Sequence, residues 1–243
     1  MDFKAEFEKR VAALGSDYLV RGVVTADRRV FPLGSDTKVL STIFEFFARP
    51  LVYEIAEAHG YTVVEARAQN YYPDFTLMRR ADDQEKIAVD VKTTYRDTDG
   101  NWKASFTLGG YTSFIRSPRK NIEFPFSEYA KHWIVGYIYK RAPVAVTPDH
   151  VYKLEDLDRI PTPYQDVDVF VQEKWRIAGE LAGSGNTTNI GSIHGTLDDF
   201  REGRGTFETE EEFLDYWRNY ERTKSTRADK FRNVREYRRW RYG

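Results

Sequence analysis

The sequence predicts a mixed α/β (α+β) chain, and three observations carry that prediction. Apolar residues recur at helical spacing in two stretches near the N-terminus and in a third near the C-terminus. Between them lie short runs rich in Val, Ile, Tyr and Phe, bounded by Gly, Pro and Asp, that read as strands. The 243 residues, 41% hydrophobic and 31% charged, suffice for one large domain with a real core. No linker, internal repeat or low-complexity tract divides them, so one domain over residues 1–243 is expected.

Phe3, Phe7, Val11 and Leu14 mark an opening amphipathic helix with Gly15 as its C-terminal cap. Leu19–Val24 and Arg29–Phe31 read as two short strands around Ala26-Asp27. A hairpin this early has little sequence to cover it, so residues 19–32 are expected to pack against another subunit, together with the proline-punctuated surface region 143–163. That region carries a short helical piece near Leu154. Ser35 or Asp36 caps the next helix, which Pro50 should kink or interrupt and Gly60 should end. At about 100° per residue, Val39, Ile43 and Phe47 share one flank of it, while Lys38, Ser41, Thr42, Glu45 and Arg49 form a polar stripe. The stripe reads either as a solvated face with a Glu45–Arg49 pair, or as a carboxylate and a lysine presented to a site.

Tyr61–Ala66 reads as a strand and Arg67–Tyr71 as a polar connection. Asp97–Gly100 is a turn, and Phe106–Arg116 offers hydroxyls and paired glycines for backbone approach to a ligand. Glu128–Tyr139 contains a buried strand, and Val167–Val171 with Lys174–Ile177 reads as another hairpin. Ala182–His194 lacks the Gly-Lys-Ser/Thr ending of a phosphate-cradling loop. Its short amide and hydroxyl side chains suit base edges, with an ordinary surface loop as the plain alternative. Thr209–Glu212 is a capping box opening a helix over Phe213–Arg222.

Candidate chemistry sits on the hairpin formed by the Asp74 arm and Lys86–Tyr95. Asp90 and Lys92 point to one face, and Val89, Val91 and Thr93 to the other, which their apolar character marks as buried. With the turn centred on Asp82, an antiparallel register sets Asp74 opposite Asp90, their Cβ atoms about 5 Å apart. Two carboxylates that close call for a hard cation such as Mg²⁺, with Lys92 beside it. Charged residues on the solvated face of a half-buried sheet would produce the same pattern.

Composition excludes several alternatives. With no cysteine, neither disulfides nor thiolate metal sites exist, and the four histidines are not spaced as zinc ligands. The N-terminal Met1-Asp-Phe-Lys-Ala-Glu-Phe is too charged for a signal peptide, and no apolar run reaches membrane-spanning length, so a cytoplasmic protein without membrane contact is expected. Net charge is −1, yet Arg218–Gly243 holds ten basic and three acidic residues, after a Thr206–Trp217 stretch with five acids and no bases. The basic segment reads as a phosphate-contacting face or as a solvated helix and tail, and the helix dipole accounts for part of the segregation.

Asp74, followed sixteen residues on by Asp90-Val-Lys92, resembles the PD-(D/E)xK nuclease motif. Longer blocks are similar to the EcoRV-like type II restriction endonucleases: Pro32–Glu45, Tyr72–Leu77, Phe106–Arg116, Leu181–His194 and Glu212–Thr223. The resemblance implies a restriction-endonuclease-like fold, a central mixed β-sheet flanked by helices. It implies a homodimer that clasps double-stranded DNA and hydrolyses both strands of a palindrome, GATATC, at its centre to leave blunt ends with 5′-phosphates. A cognate DNA methyltransferase is expected in the same system. Asp74 and Asp90 would bind Mg²⁺, Lys92 would assist at the attacked phosphate, and Glu45 would be an accessory acid and metal ligand. Gly183, Ser184, Gly185, Asn186, Thr187, Thr188 and Asn189 would read the outer bases in the major groove. Gln69 and Asn70 would lie along the minor groove, and Lys38, Thr93, Thr107, Ser113 and Lys120 would add DNA contacts. The central TA step would be read through its ease of bending. Tyr71 stands where histidine is expected and Ala68 where glutamine is expected, departures confined to the minor-groove loop. A structure-specific repair or junction-resolving nuclease, or a DNA-binding protein that does not cut, are the alternative readings.

Overall fold

Asp36 starts the longest helix by accepting hydrogen bonds from the backbone of Lys38 (2.9 Å) and Val39 (3.1 Å), satisfying donors that have no partner inside the helix. In a computed structural model of the chain this helix, α2, runs Thr37–Ala58, preceded by α1 (Phe3–Leu14). The structure describes residues 1–15, 18–96, 103–142, 150–183, 188–221, 223, 226–227 and 230–243. The Asp97–Gly100 turn and residues 143–149 of the proline-rich region lie outside them.

Pro50 does not interrupt α2 as expected. It lies on the exposed side of the helix, where the carbonyl deprived of its donor has water within reach. The buried stripe is Leu40, Phe44, Ala48, Leu51 and Ile55; the expected flank of Val39, Ile43 and Phe47 stands beside it, with Val39 exposed. In α1 only Phe3 and Phe7 are buried, and Leu14 faces out.

Both helices pack on a five-stranded mixed sheet. Its strands, in spatial order, are β3 (Thr62–Glu65), β4 (Phe75–Met78), β5 (Lys86–Tyr95), β7 (Tyr129–Arg141) and β9 (Tyr164–Glu173). The β5–β7 pair is parallel and the others are antiparallel. Ile87, Val89 and Val91 of β5 share a core with Phe44, Leu51 and Ile55 of α2. Phe44 stacks within 4.9 Å of the Tyr137 ring, centroid to centroid. The opposite face of the sheet is covered as well. Ala88, Ile134, Ile138 and Phe170 join a second core with Phe106, Leu108, Phe200 and Trp217. Gly136 faces Phe170 across the β7–β9 pair, and a Cβ there would come within 2.1 Å of the Phe170 ring, so only glycine admits this packing.

The alternation expected along β5 therefore holds, and the alternative of a solvated charged face does not. Asp90 is only 4% exposed because the layer around this second core closes over it. That layer contains a three-stranded sheet of β10 (Ala178–Ala182), β11 (Asn189–Ser192) and β6 (Thr107–Gly110), and the helices α4 (Leu197–Glu202) and α5 (Glu210–Asn219). Lys174–Ile177, expected as a strand, is instead a single helical turn, α3, between β9 and β10. Thr209 caps α5 by accepting from Glu212 N at 3.1 Å, but the capping box is incomplete: the Glu212 carboxylate accepts from Glu208 N at 2.9 Å.

The two stretches expected at a subunit contact meet in one sheet. β1 (Gly22–Val24) pairs with β2 (Arg29–Pro32), and β2 pairs with β8 (Tyr152–Lys153). Leu154–Arg159 follows as a 3-10 helix, so the helical piece falls where the sequence puts it. No helix among the described residues is long and apolar enough to cross a membrane.

Candidate active site

The β4–β5 register pairs Phe75 with Val89, Thr76 with Ala88 and Leu77 with Ile87. One step further along, Asp74 stands opposite Asp90, as the turn centred on Asp82 requires. The Asp74 carboxylate turns onto the neighbouring strand, where its Oδ2 accepts from Val91 N at 2.6 Å. Asp90 Oδ1 lies 2.7 Å from Lys92 Nζ, which also donates to Val91 O at 3.1 Å.

Burial sets the electrostatics. Removal from water pushes the Asp74 carboxyl up to about 7, with the Asp90 charge adding to the rise and Lys92 and the Val91 N–H opposing it. Burial pushes Asp90 the same way, but Lys92 and Lys174 outweigh it and hold that carboxyl below its ordinary value. Burial depresses the Lys92 ammonium, and Asp90 and Asp74 more than restore it. The site is a pair of acids crowded into a dry place with lysines as counter-charges.

This donor set suits a hard cation. It consists of carboxylate and carbonyl oxygens, and Asp90 Oδ2 is buried with no hydrogen-bond partner among the described residues. Glu45 stands apart. Its carboxylate pairs with Arg49 at 3.4 Å, and Arg49 also reaches Glu65 at 3.2 Å. Glu45 is near enough to raise the Asp74 carboxyl, yet among the described residues no three His, Asp or Glu side chains gather as a ready metal cage.

Farther along β5 the structure brings some expected DNA contacts together. The Thr93 hydroxyl lies 2.8 Å from that of Ser41, and both border a hollow that Lys38, Thr37 and Tyr95 also line. Thr93 and Thr107 line the adjoining hollow with Lys103, Ser105 and His194. Lys103 and His194 were not expected from sequence; an isolated lysine after an acidic turn carries no distinguishing pattern. Gln69, Asn70 and Lys120 are exposed in loops, and the Arg67 guanidinium stacks 5.0 Å over the Tyr71 ring. The Ser113 hydroxyl is occupied locally, donating to Gly110 O at 2.8 Å.

Of the base-reading candidates, Gly183, Thr188 and Asn189 sit at the ends of β10 and β11. Gly183 N donates to Asn189 O at 2.8 Å, closing the loop, and Thr188 O accepts from Tyr111 N at 3.0 Å. Ser184, Gly185, Asn186 and Thr187 lie outside the described residues. Two arginines of the basic C-terminal segment pair with its acidic neighbour, Arg238 with Glu212 at 2.7 Å and Arg241 with Asp215 at 3.1 Å.

The family model described as restriction endonuclease EcoRV matches residues 15–242. The type II restriction enzyme EcoRV of Escherichia coli is 57% identical over 225 residues, covering 93% of this chain and 91% of that one. Among solved structures, the NlaIV restriction endonuclease aligns with 84% of this chain and 74% of its own, at 11% identity and a TM-score of 0.34. By the length of the family match and the identity along it, the chain belongs to the EcoRV family of type II restriction endonucleases.

Proposed function

We propose that this restriction endonuclease hydrolyses both strands of duplex DNA at the palindrome GATATC, cutting at its centre to leave blunt ends with 5′-phosphates. Mg²⁺ would be held by Asp74 and Asp90, with Glu45 as an accessory acid. The observation that carries the reading is the facing pair of carboxylates, Asp90 buried and Asp74 turned onto Val91 N, with Lys92 at 2.7 Å from Asp90 Oδ1.

When bound, the metal neutralises charge on the scissile phosphate and acidifies a water. The protein's own groups do the rest. The Val91 N–H fixes the Asp74 carboxylate, and Lys92, partly exposed, holds Asp90 and faces the developing phosphate charge. Thr93, Thr107, Ser113, Lys38 and Lys120 contact the backbone and set the register of the duplex. The Gly183–Asn189 loop reads the outer bases, Gln69 and Asn70 follow the minor groove, and the TA step is read through its bending.

Two active sites are needed to cut two strands, and we infer a homodimer through the β1–β2–β8 sheet. Its Val23, Val24 and Phe31 are exposed, as are Val151 and Leu154 on either side of β8. A cognate methyltransferase would protect the host's own sites.

The test is digestion of a sequenced plasmid with and without Mg²⁺, followed by sequencing of the ends. Blunt termini at the centre of GATATC, formed only with metal and lost in Asp90→Ala, are expected. Cleavage by Asp90→Ala at the wild-type rate would remove the site assignment, and cuts elsewhere would remove the specificity.

A further inference from the structure

Burying a lysine ammonium is unfavourable unless its charge is answered, and two lysines are buried here in unlike ways. Lys86 is satisfied, donating to Asp83 O and to Glu128 Oε2 at 2.6 Å. Lys174 is not. It is 2% exposed, and its Nζ has no hydrogen-bond partner among the described residues. Asp90 Oδ2, equally without one, lies 3.6 Å away.

The surroundings hold that ammonium in place. It sits 3.8 Å from the centroid of the Tyr72 ring and 5.1 Å from that of Phe114, and those two rings stack at 4.2 Å. Tyr72 is itself fixed, its hydroxyl hydrogen-bonded to His132 Nδ1 at 2.8 Å. The helical turn α3 makes this possible, because it carries Lys174 in from the end of β9. Asp90 is thus gripped from two sides. Lys92 lies on the open side at Oδ1, 23% exposed, and Lys174 on the closed side at Oδ2, out of reach of DNA.

We propose that Lys174 is a positioning residue for the cutting reaction: a resident counter-cation that holds one oxygen of the Asp90 carboxylate and leaves the other turned to the open side. An apolar side chain would fill the space against the stacked Tyr72 and Phe114 rings without the burden of desolvation, so the charge is there for Asp90. The proposal draws on the metal reading of Asp90 only for the cation arm of its test.

The test measures unfolding midpoints of the full chain as wild type, Lys174→Met, Asp90→Asn and the double variant, in chelator and then with Ca²⁺ as a hard divalent probe. In chelator, Lys174→Met lowers the midpoint and adding Asp90→Asn restores most of the loss, because the uncompensated carboxylate is gone. Ca²⁺ raises the midpoint of Lys174→Met more than that of wild type, since no ammonium stands beside the incoming cation. With Mg²⁺ and duplex, kcat of Lys174→Met falls about 10-fold while KM stays within about two-fold. Losses that simply add in chelator, with a wild-type Ca²⁺ increment, would overturn the proposal and leave Lys174 as packing. Should Lys174→Met fail to fold, a folded double variant supports the pairing and an unfolded one overturns it. Coupling in chelator without the Ca²⁺ effect would keep the pairing and remove the metal reading of Asp90 instead.

Discussion

The Tyr72 hydroxyl and His132 Nδ1 share a hydrogen bond of 2.8 Å, inside the core two residues from Asp74. His132 is 6% exposed, and burial with Lys174 nearby depresses its imidazole to about 3, against a smaller opposing pull from Asp90. Tyr129 and Phe126 pack on the same ring. Because the folded value lies below the ordinary 6.5, the unfolded chain takes up a proton first as pH falls. His132 therefore contributes no loss above about pH 6.5 and a growing loss below it, about 2 kcal/mol by about pH 5. Urea midpoints across this window should fall more steeply in wild type than in His132→Gln. Parallel curves would show that another group titrates.

Asp74 gives the opposite trade. Its carboxyl, raised to about 7, is ionised at alkaline pH only against its dry surroundings. An acid whose folded value is raised destabilises increasingly above its ordinary value, up to the folded one. Asp74→Asn keeps an oxygen to accept from Val91 N and removes the charge. The variant should be more stable than wild type in chelator at about pH 8, by on the order of 1–3 kcal/mol, yet should not nick supercoiled plasmid. Equal or lower stability, read by thermal unfolding, would contradict the electrostatic account.

The two hollows that Thr93 borders divide their contacts by charge. Lys38 and Lys103 carry charge, whereas Thr93 brings only a hydroxyl, held 2.8 Å from Ser41. Each lysine replaced by alanine should lower the slope of log affinity against log salt by about one, and Thr93→Val should weaken binding without changing it. Filter binding or anisotropy on a duplex with Ca²⁺ reads both. A slope unchanged in Lys38→Ala would place that lysine away from phosphate.

The facing of Asp74 and Asp90 was legible because register depends on period two and one turn centre, both local properties of residues 74–90. Opening helix α1 was legible to the residue for the same reason, having its cap at Gly15. Asp90's burial was not, since the groups that cover its face, Tyr72, Phe114 and Lys174, come from three distant segments. Nor was the α3 turn: four residues containing Trp and Ile satisfy strand and helix alike, and length could not arbitrate. Pro50 misled because its penalty depends on which side of the helix it occupies. Glu45 remained two-sided in sequence, and the Arg49 between it and Glu65 arises from a strand pairing no helical pattern contains.

The basic C-terminal segment was two-sided as well, and its pairing makes a prediction about what it does not do. Arg238 engages Glu212 at 2.7 Å and Glu208 at 2.9 Å, tying α6 (Val234–Tyr242) to the start of α5. Glu212 is only 10% exposed, so the pair is partly shielded from water and its loss costs more than that of an open surface pair. Arg238→Ala should lower stability by about 1–2 kcal/mol and leave the salt slope of DNA binding unchanged, because its charge is spent on α5. A lower slope with unchanged stability would reverse the assignment and turn this arginine toward phosphate. Glu212→Gln separates the two further. If Arg238 serves α5, that change should cost stability without tightening DNA binding; if it is available to phosphate, releasing it should strengthen binding at low salt.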